Sequence, residues 1–466
     1  MNRAGLTVAI GRMRRAGLPD EAIRAFERAC RAFEAGDTGL LPDRELRPVE
    51  DVPDATELAA PPDRDALDRA VVIKLNGGLG TSMGMRRAKS LVEARESLSF
   101  LDVIARQVLA LRRRHRVRLP LVLMNSFRTR ADSLAALARH PGLASDVPPD
   151  FLQHREPRIR ADDLQPVDCP GRPELEWCPP GHGDLYPALA GSGLLRALLD
   201  RGYRYAFASN ADNLGAVLDP ALLAWFAAER APFAMEVVVG TEADRKGGHI
   251  ARRADGRLVL RETAQTPAED AASFRDFRRW RYYNTNNLWI DLRALQAELR
   301  RGGGVLGLLL IANRKPLDPL DPGSPEVIQL ETAMGAAIGV FDGARAVCVP
   351  RSRFAPVKTT DDLLLVRSDL YRLADDARLE RAPRRLAGLP YVELDRAHFG
   401  HLEDFERRLP YGPPSLLACE RLVVRGDVTF GRGVVARGAV RVEAVGDGPR
   451  AIPDRAVLAG DVGLSR

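Results

Sequence analysis

The chain has 466 residues, 45% hydrophobic and 28% charged, with a formal net charge of +6. This is the balance of an ordinary globular protein, long enough for two or three domains. No uncharged apolar run approaches the ~20 residues of a membrane helix, no signal-peptide core opens the chain, and five cysteines without metal-ligand spacing argue against a disulfide framework or a zinc site.

A cytoplasmic protein with neither membrane nor nucleic-acid partners is expected. The one dense basic run, Arg112-Arg-Arg-His-Arg116, has no interleaved aromatics and sits where cations offset a helix dipole.

In Asp20-Glu-Ala-Ile-Arg-Ala-Phe-Glu-Arg-Ala-Cys-Arg-Ala-Phe33 apolar side chains recur at three- and four-residue steps, so residues 1–46 read as two short helices. Residues 47–68, rich in prolines and acids, read as an extended connection. From Val71 onward apolar strands alternate with helices. Strands are predicted over 71–75, 119–125, 203–209 and 233–240. Helices are predicted over 99–115 with Ser99 as N-cap, from about Thr129, and from Pro220. That alternation predicts a Rossmann-like α/β fold whose mixed, mostly parallel sheet is covered on both faces. Residues 249–262, with Ala-Asp-Gly at their turn, predict a hairpin. Beyond about 375 the texture changes, and the glycine-punctuated, valine-rich stretch 422–463 fits a small β-helix. The expected organisation is a helical segment and linker over 1–68, a catalytic domain over 69–375 and a β-helix-like domain over 376–466.

Of the 69 basic residues only five are lysine: Lys74, Lys89, Lys246, Lys315 and Lys358. A chain that places arginine almost everywhere keeps lysine where a compact point charge serves and a planar fork does not. Four segments look able to build a site. Leu75-Asn-Gly-Gly-Leu-Gly-Thr-Ser-Met-Gly84 follows the first strand, and its glycines let backbone amides converge on phosphate oxygens. It is neither a Walker loop nor the G-x-G-x-x-G fingerprint. Trp177-Cys-Pro-Pro-Gly-His-Gly-Asp184 leaves His182 unencumbered between glycines. Ser209-Asn-Ala-Asp-Asn-Leu-Gly215 puts a carboxylate at the carboxyl end of a strand, where open α/β sheets bind ligands and where magnesium shared with phosphates needs one or two protein carboxylates. Arg351-Ser-Arg-Phe-Ala-Pro-Val-Lys-Thr-Thr-Asp-Asp362 sets Lys358 just before a helix predicted to run through Tyr371. Each segment alone is equally compatible with an ordinary polar turn.

Together, and in this order, Lys74–Gly84, Phe151-Leu-Gln-His-Arg-Glu-Pro-Arg-Ile159, Pro179-Pro-Gly-His-Gly-Asp184, Asn210-Ala-Asp-Asn-Leu-Gly215, Asn284-Thr-Asn-Asn-Leu-Trp289 and Pro356-Val-Lys-Thr-Thr360 resemble the eukaryotic-type UTP–glucose-1-phosphate uridylyltransferases. The resemblance spans roughly residues 71–375, and the glycine-rich tail is similar to that family's C-terminal β-helix. It implies a nucleotidyltransferase domain with Leu75, Asn76, Gly77, Gly78, Lys89, Gln153, Gly181 and Lys358 on the nucleotide. It implies His182, Asn210, Asp212, Asn286, Asn287 and Lys246 toward the sugar phosphate, Asp212 as the Mg2+ ligand, and Lys358 with Lys89 as the catalytic charges. One departure stands out: the loop usually ends Gly-Pro-Lys-Ser, whereas here it reads Arg87-Ala88-Lys89-Ser90.

The reaction so implied joins UTP and glucose 1-phosphate into UDP-glucose and pyrophosphate. Its nucleophile is an already ionised phosphate, so the obstacle is anion repulsion and the remedy is charge neutralisation. The alternatives are the same chemistry on another sugar 1-phosphate, and a non-catalytic nucleotide-sugar-binding protein on the same scaffold. Self-association through the C-terminal domain is compatible with this reading.

Overall fold

Strand Ala70–Asn76 organises the molecule, and it does so because Ala-Val-Val-Ile precedes any charge and can be buried on both faces. In the computed structural model, which describes residues 3–465 except 59, 319, 320, 322, 384–387 and 447, Val72 faces one core with Phe100, Leu101 and Ile104. Val71 and Ile73 face a second core with Leu185, Tyr186 and Leu198, as the two-residue period of a strand requires. Each of these fully buried side chains contributes roughly 1.5–3 kcal/mol of hydrophobic stabilisation.

The strands of interest are β1 (Ala70–Asn76), β2 (Leu121–Asn125), β3 (Asp150–Leu152), β4 (Tyr205–Asn210), β5 (Phe233–Val239), β6 (Tyr282–Asp291) and β7 (Arg345–Cys348). β4, β1, β2 and β3 run parallel side by side. The long strand β6 pairs antiparallel with both β4 and β5, and β5 runs parallel to β7. The sheet is therefore mixed, with its parallel run on the side that bears the glycine loop. The hairpin His249–Arg253 with Leu258–Arg261 forms and extends the sheet beyond β6, and Leu46–Pro48 adds one further strand.

The helices of interest are α1 (Arg3–Arg15), α2 (Asp20–Glu34), α3 (Phe100–His115), α4 (Arg130–Ala138), α5 (Pro220–Ala228) and α6 (Thr360–Arg367). α3 opens on a capping box in which Ser99 Oγ accepts from the Asp102 amide and Asp102 accepts from the Ser99 amide, both at 3.1 Å. α5 opens on proline behind an Asp219 cap. α1 and α2 bury Met13, Phe26 and Cys30 against Ile159, Ile328 and Leu330 in a satellite core.

Two expectations change. The helix predicted through Tyr371 stops at Arg367, because Ser368 turns to an extended backbone and its hydroxyl bonds the Leu365 carbonyl at 2.8 Å; Tyr371 starts a short strand instead. The stretch 47–68 is also less extended than its prolines suggest, since Asp63 caps a short helix at Arg64–Asp68.

Near the C-terminus Ser415–Arg425, Val435–Ala444 and Val457–Leu464 stack as parallel strands, as do Val428–Phe430 and Arg450–Ile452. Their Leu422, Val424, Val428 and Val442 join the same core as Phe100 and Leu363. All five cysteines are free. Among the described residues no helix is long and apolar enough to cross a membrane.

Candidate active site

At the carboxyl ends of β1 and β4 lies a cavity of about 330 Å³ lined by Leu75, Asn76, Gly77, Gly78, Lys89, Gln153, Gly181, His182, Asn210 and Asp212. The segments at 75–78 and 210–212 meet because β1 and β4 are adjacent and parallel, in a register that sets Asn210 beside Leu75.

The glycine loop is fastened from below. Asn76 spends its amide on Asn125 Oδ1 (2.8 Å) and Ser133 Oγ (2.7 Å), tying the loop to β2 and α4. A Cβ at Gly77 would lie 2.6 Å from Gln153 Oε1, so a side chain there would push the Gln153 amide aside. Gln153 in turn donates to the Gly181 carbonyl at 3.0 Å. Gly181 has φ +79°, and a Cβ there would meet the Thr332 carbonyl at 2.5 Å. Loops from three parts of the chain are thereby closed onto one another.

Asp212 is the electrostatic centre. Its Oδ2 accepts from Lys89 Nζ and from Lys358 Nζ, each at 3.0 Å. Burial alone would raise its pKa, but the two ammonium groups outweigh it and hold the carboxyl below its usual range. Lys89 Nζ also donates to the Val357 carbonyl, and the Val357 amide donates to the Asp212 carbonyl at 3.0 Å. The remaining oxygen, Asp212 Oδ1, is buried without a hydrogen-bond partner. Lys358 is not itself part of the cavity lining and is 57% exposed, against 14% for Lys89. It directly precedes α6, whose capping box joins Thr359 and Asp362.

His182 accepts a hydrogen bond at Nδ1 from the Met334 amide (3.0 Å), which leaves Nε2 to carry the proton of the neutral ring. Burial, reinforced by the Lys358 charge, lowers its pKa to about 4. Because the folded value lies below the unfolded one, near 6.5, the unfolded chain binds the proton first. Stability owed to this ring is complete above about pH 6.5 and is lost as pH falls toward 4. Imidazole ¹⁵N shifts are expected to show His182 neutral at pH 5; protonation near pH 6.5 would contradict this environment.

The other predicted residues lie elsewhere. Asn287 is buried on β6, its amide donating to Glu236 Oε2 at 2.9 Å. Asn286 has φ +58° and accepts from Asn284 Nδ2 at 2.9 Å. Lys246 is exposed, with its carbonyl accepting from Thr263 Oγ1. None of the three lines the cavity. Lys74 turns beneath it, buried, donating to Ser209 Oγ (2.7 Å) and the Ala216 carbonyl (2.6 Å). Burial, with Arg353 nearby, pushes that ammonium down to about 7. Lys315 bonds Gln329 and Glu331 instead. Two of the five lysines therefore meet on Asp212.

Several supporting residues were not anticipated. Asp184 accepts from the His154 amide at 2.6 Å and holds the His154 ring at 2.8 Å, joining the loop after Gln153 to the loop of His182. Glu236 is fully buried in β5 and pairs with Arg353. A lone carboxylate within Phe-Ala-Met-Glu-Val-Val-Val was the available signal, since such a group is buried only with a partner.

Residues 26–437 match the sequence model of the family described as UTP–glucose-1-phosphate uridylyltransferase. A protein of that name from Solanum tuberosum is 40% identical over 425 residues, covering 91% of this chain and 85% of its own length. A probable one from Schizosaccharomyces pombe is 40% identical over 397 residues, with 85% and 77% covered. Among solved structures, a mutant of UDP-glucose pyrophosphorylase from Leishmania major, in complex with UDP-glucose, superposes with a TM-score of 0.94 at 42% identity over 99% of this chain and 100% of that one. A Trypanosoma brucei UDP-glucose phosphorylase gives a TM-score of 0.92 at 40% identity, covering 99% and 100%. Sequence and fold agree, and the chain belongs to the UTP–glucose-1-phosphate uridylyltransferase family.

Proposed function

We propose that this protein transfers the uridylyl group of UTP to glucose 1-phosphate, giving UDP-glucose and pyrophosphate. The observation that carries the reading is the convergence of two lysine ammoniums on one carboxylate above a glycine loop. The phosphate oxygen of glucose 1-phosphate attacks the α-phosphorus of UTP, the bond to the bridging oxygen of the β-phosphate breaks, and pyrophosphate leaves with that electron pair. No general base is required, because the attacking phosphate is ionised at neutral pH. The site's work is to bring anions together and to neutralise charge as it shifts. We assign the loop at Leu75–Gly78, Gln153 and Gly181 to the nucleotide, Lys89 and Lys358 to the phosphates, and neutral His182 and Asn210 to the sugar phosphate, with Asn286 approaching from β6. Asn287 acts through the network behind the site, and Lys246 closes on the sugar from its loop.

Asp212 suits Mg2+ as the sole protein carboxylate. Its Oδ1 has no other partner, and among the described residues no group of three His, Cys, Asp or Glu forms a dedicated metal cage. Magnesium commonly takes one or two carboxylates and completes its shell with phosphate oxygens and water. Held there, it would supply further neutralisation of the nucleotide phosphates.

A pyrophosphate-release assay with UTP and glucose 1-phosphate, with and without EDTA, is expected to show turnover only with the divalent ion. ATP, dTTP, galactose 1-phosphate and N-acetylglucosamine 1-phosphate serve as competitors. Faster turnover on another sugar phosphate would move the assignment to that sugar; no release with any pair would end the reading.

A further inference from the structure

Glu236 is fully buried on β5, and its carboxylate accepts four hydrogen bonds: Arg353 Nε at 2.8 Å, an Arg353 terminal nitrogen at 2.6 Å, Asn287 Nδ2 at 2.9 Å and Trp289 Nε1 at 3.0 Å. The bidentate fork fixes the direction of the Arg353 side chain, not only its charge. The Arg353 carbonyl then accepts from Asn213 Nδ2 (3.1 Å) and from Asn287 Nδ2 (3.3 Å). Asn213 Oδ1 accepts from the Ala355 amide (3.0 Å) and the Gly215 amide (3.1 Å). Two residues on, the Val357 amide reaches the Asp212 carbonyl. The segment 353–357 is thus tied at alternate residues to the loop that carries Asp212, and its starting point is set by the buried ion pair.

We propose that Glu236 and Arg353, neither of which lines the cavity, form a buried clamp that positions Lys358 against Asp212 and thereby sets turnover. The inference rests on the function proposed above for that site. A desolvated ion pair adds little net stability compared with apolar residues of similar volume, yet it admits few geometries. That is the property a lysine on a half-exposed loop requires, because a misplacement of about 1 Å in a charge-neutralising group can cost about 100-fold in rate. The nucleotide loop is fastened separately, through Asn76 to β2 and α4. Loosening the clamp should therefore weaken UTP binding far less than it lowers turnover.

Two variants test this. Replacing both members, Glu236→Met with Arg353→Met, leaves no unpaired buried charge; Arg353→Lys keeps the charge but loses the fork. In the double variant turnover is expected to fall about 100-fold. In Arg353→Lys it is expected to fall about tenfold, the worth of one charge-assisted hydrogen bond. In both, KM for UTP should change far less than kcat, and the Ala355 and Val357 amides should lose protection from hydrogen exchange. Parental turnover together with parental protection in a folded variant would reduce the pair to a packing element. Should the double variant not fold, Arg353→Lys decides alone. If the parent chain fails to turn over UTP and glucose 1-phosphate, the functional reading falls, while the exchange measurement still decides the clamp.

Discussion

Lys358→Ala lowers turnover by about 100- to 1,000-fold, corresponding to ~2.7–4 kcal/mol of transition-state stabilisation by analogy with single oxyanion-site donors, and leaves the thermal transition in place. Two observations require these effects to separate. Lys358 is 57% exposed, so truncating it opens no internal cavity. Asp212 also keeps Lys89 as a partner at 3.0 Å, so no buried carboxylate is abandoned. The rate effect is large because, in the proposed reaction, the ammonium paired with Asp212 is where positive charge must meet negative charge as it moves toward pyrophosphate. Lys358→Arg restores the charge with a broad planar fork in place of a point charge, so only partial recovery is expected. The measurement is kcat beside melting temperature; a near-parental kcat in Lys358→Ala would remove this lysine from the chemistry.

Asp212→Asn is expected to cost at least as much turnover, again about 100- to 1,000-fold, and to abolish response to added magnesium or manganese. The change keeps shape and removes the charge that draws Lys89 and Lys358 together, and it replaces one acceptor of the pair with an amide donor. A stability loss of ~1–3 kcal/mol follows from the partly buried Lys89 losing its charged acceptor and keeping only the Val357 carbonyl. The pH dependence separates this cost from unfolding. The folded carboxyl titrates below its usual value, so its contribution is complete above about pH 4 and is lost only as pH falls further. The destabilisation of Asp212→Asn relative to the parent should therefore shrink in acid. Manganese binding in the presence of UTP, followed by electron paramagnetic resonance, reads the metal directly, and undiminished binding in Asp212→Asn would exclude this carboxylate as its ligand.

These tests can be addressed to particular atoms because much of the site was legible before any coordinates. The glycine spacing after an apolar strand, a carboxylate at the end of another strand, and lysine kept in a chain dominated by arginine each have a local physical cause. Lys89, Asp212 and Lys358 follow from those causes. The boundaries of β1, β2, β4 and β5 follow from runs of apolar residues, and the start of α3 from Ser99 with Asp102 three residues on.

Other features depend on partners far away in sequence. Lys74 has the same local credentials as Lys89, yet strand alternation turns it into the core toward Ser209 and Ala216. Asn287 stands in a segment that reads as substrate-facing, but the β5–β6 register sets it directly opposite Glu236, which takes its amide. The helix expected through Tyr371 ends early because a serine hydroxyl bonds backward to a carbonyl.

The amino-acid sequence by itself carried the α/β pattern and three charged groups of the candidate site, because period, glycine placement and residue choice act over a few neighbours; the family entered through the resemblance of its ordered motifs. Tertiary structure alone decided which lysines meet the carboxylate and how a buried glutamate and arginine reach behind it. Hydrogen bonds between residues 51 to 146 positions apart depend on strand order and register, which no local pattern contains.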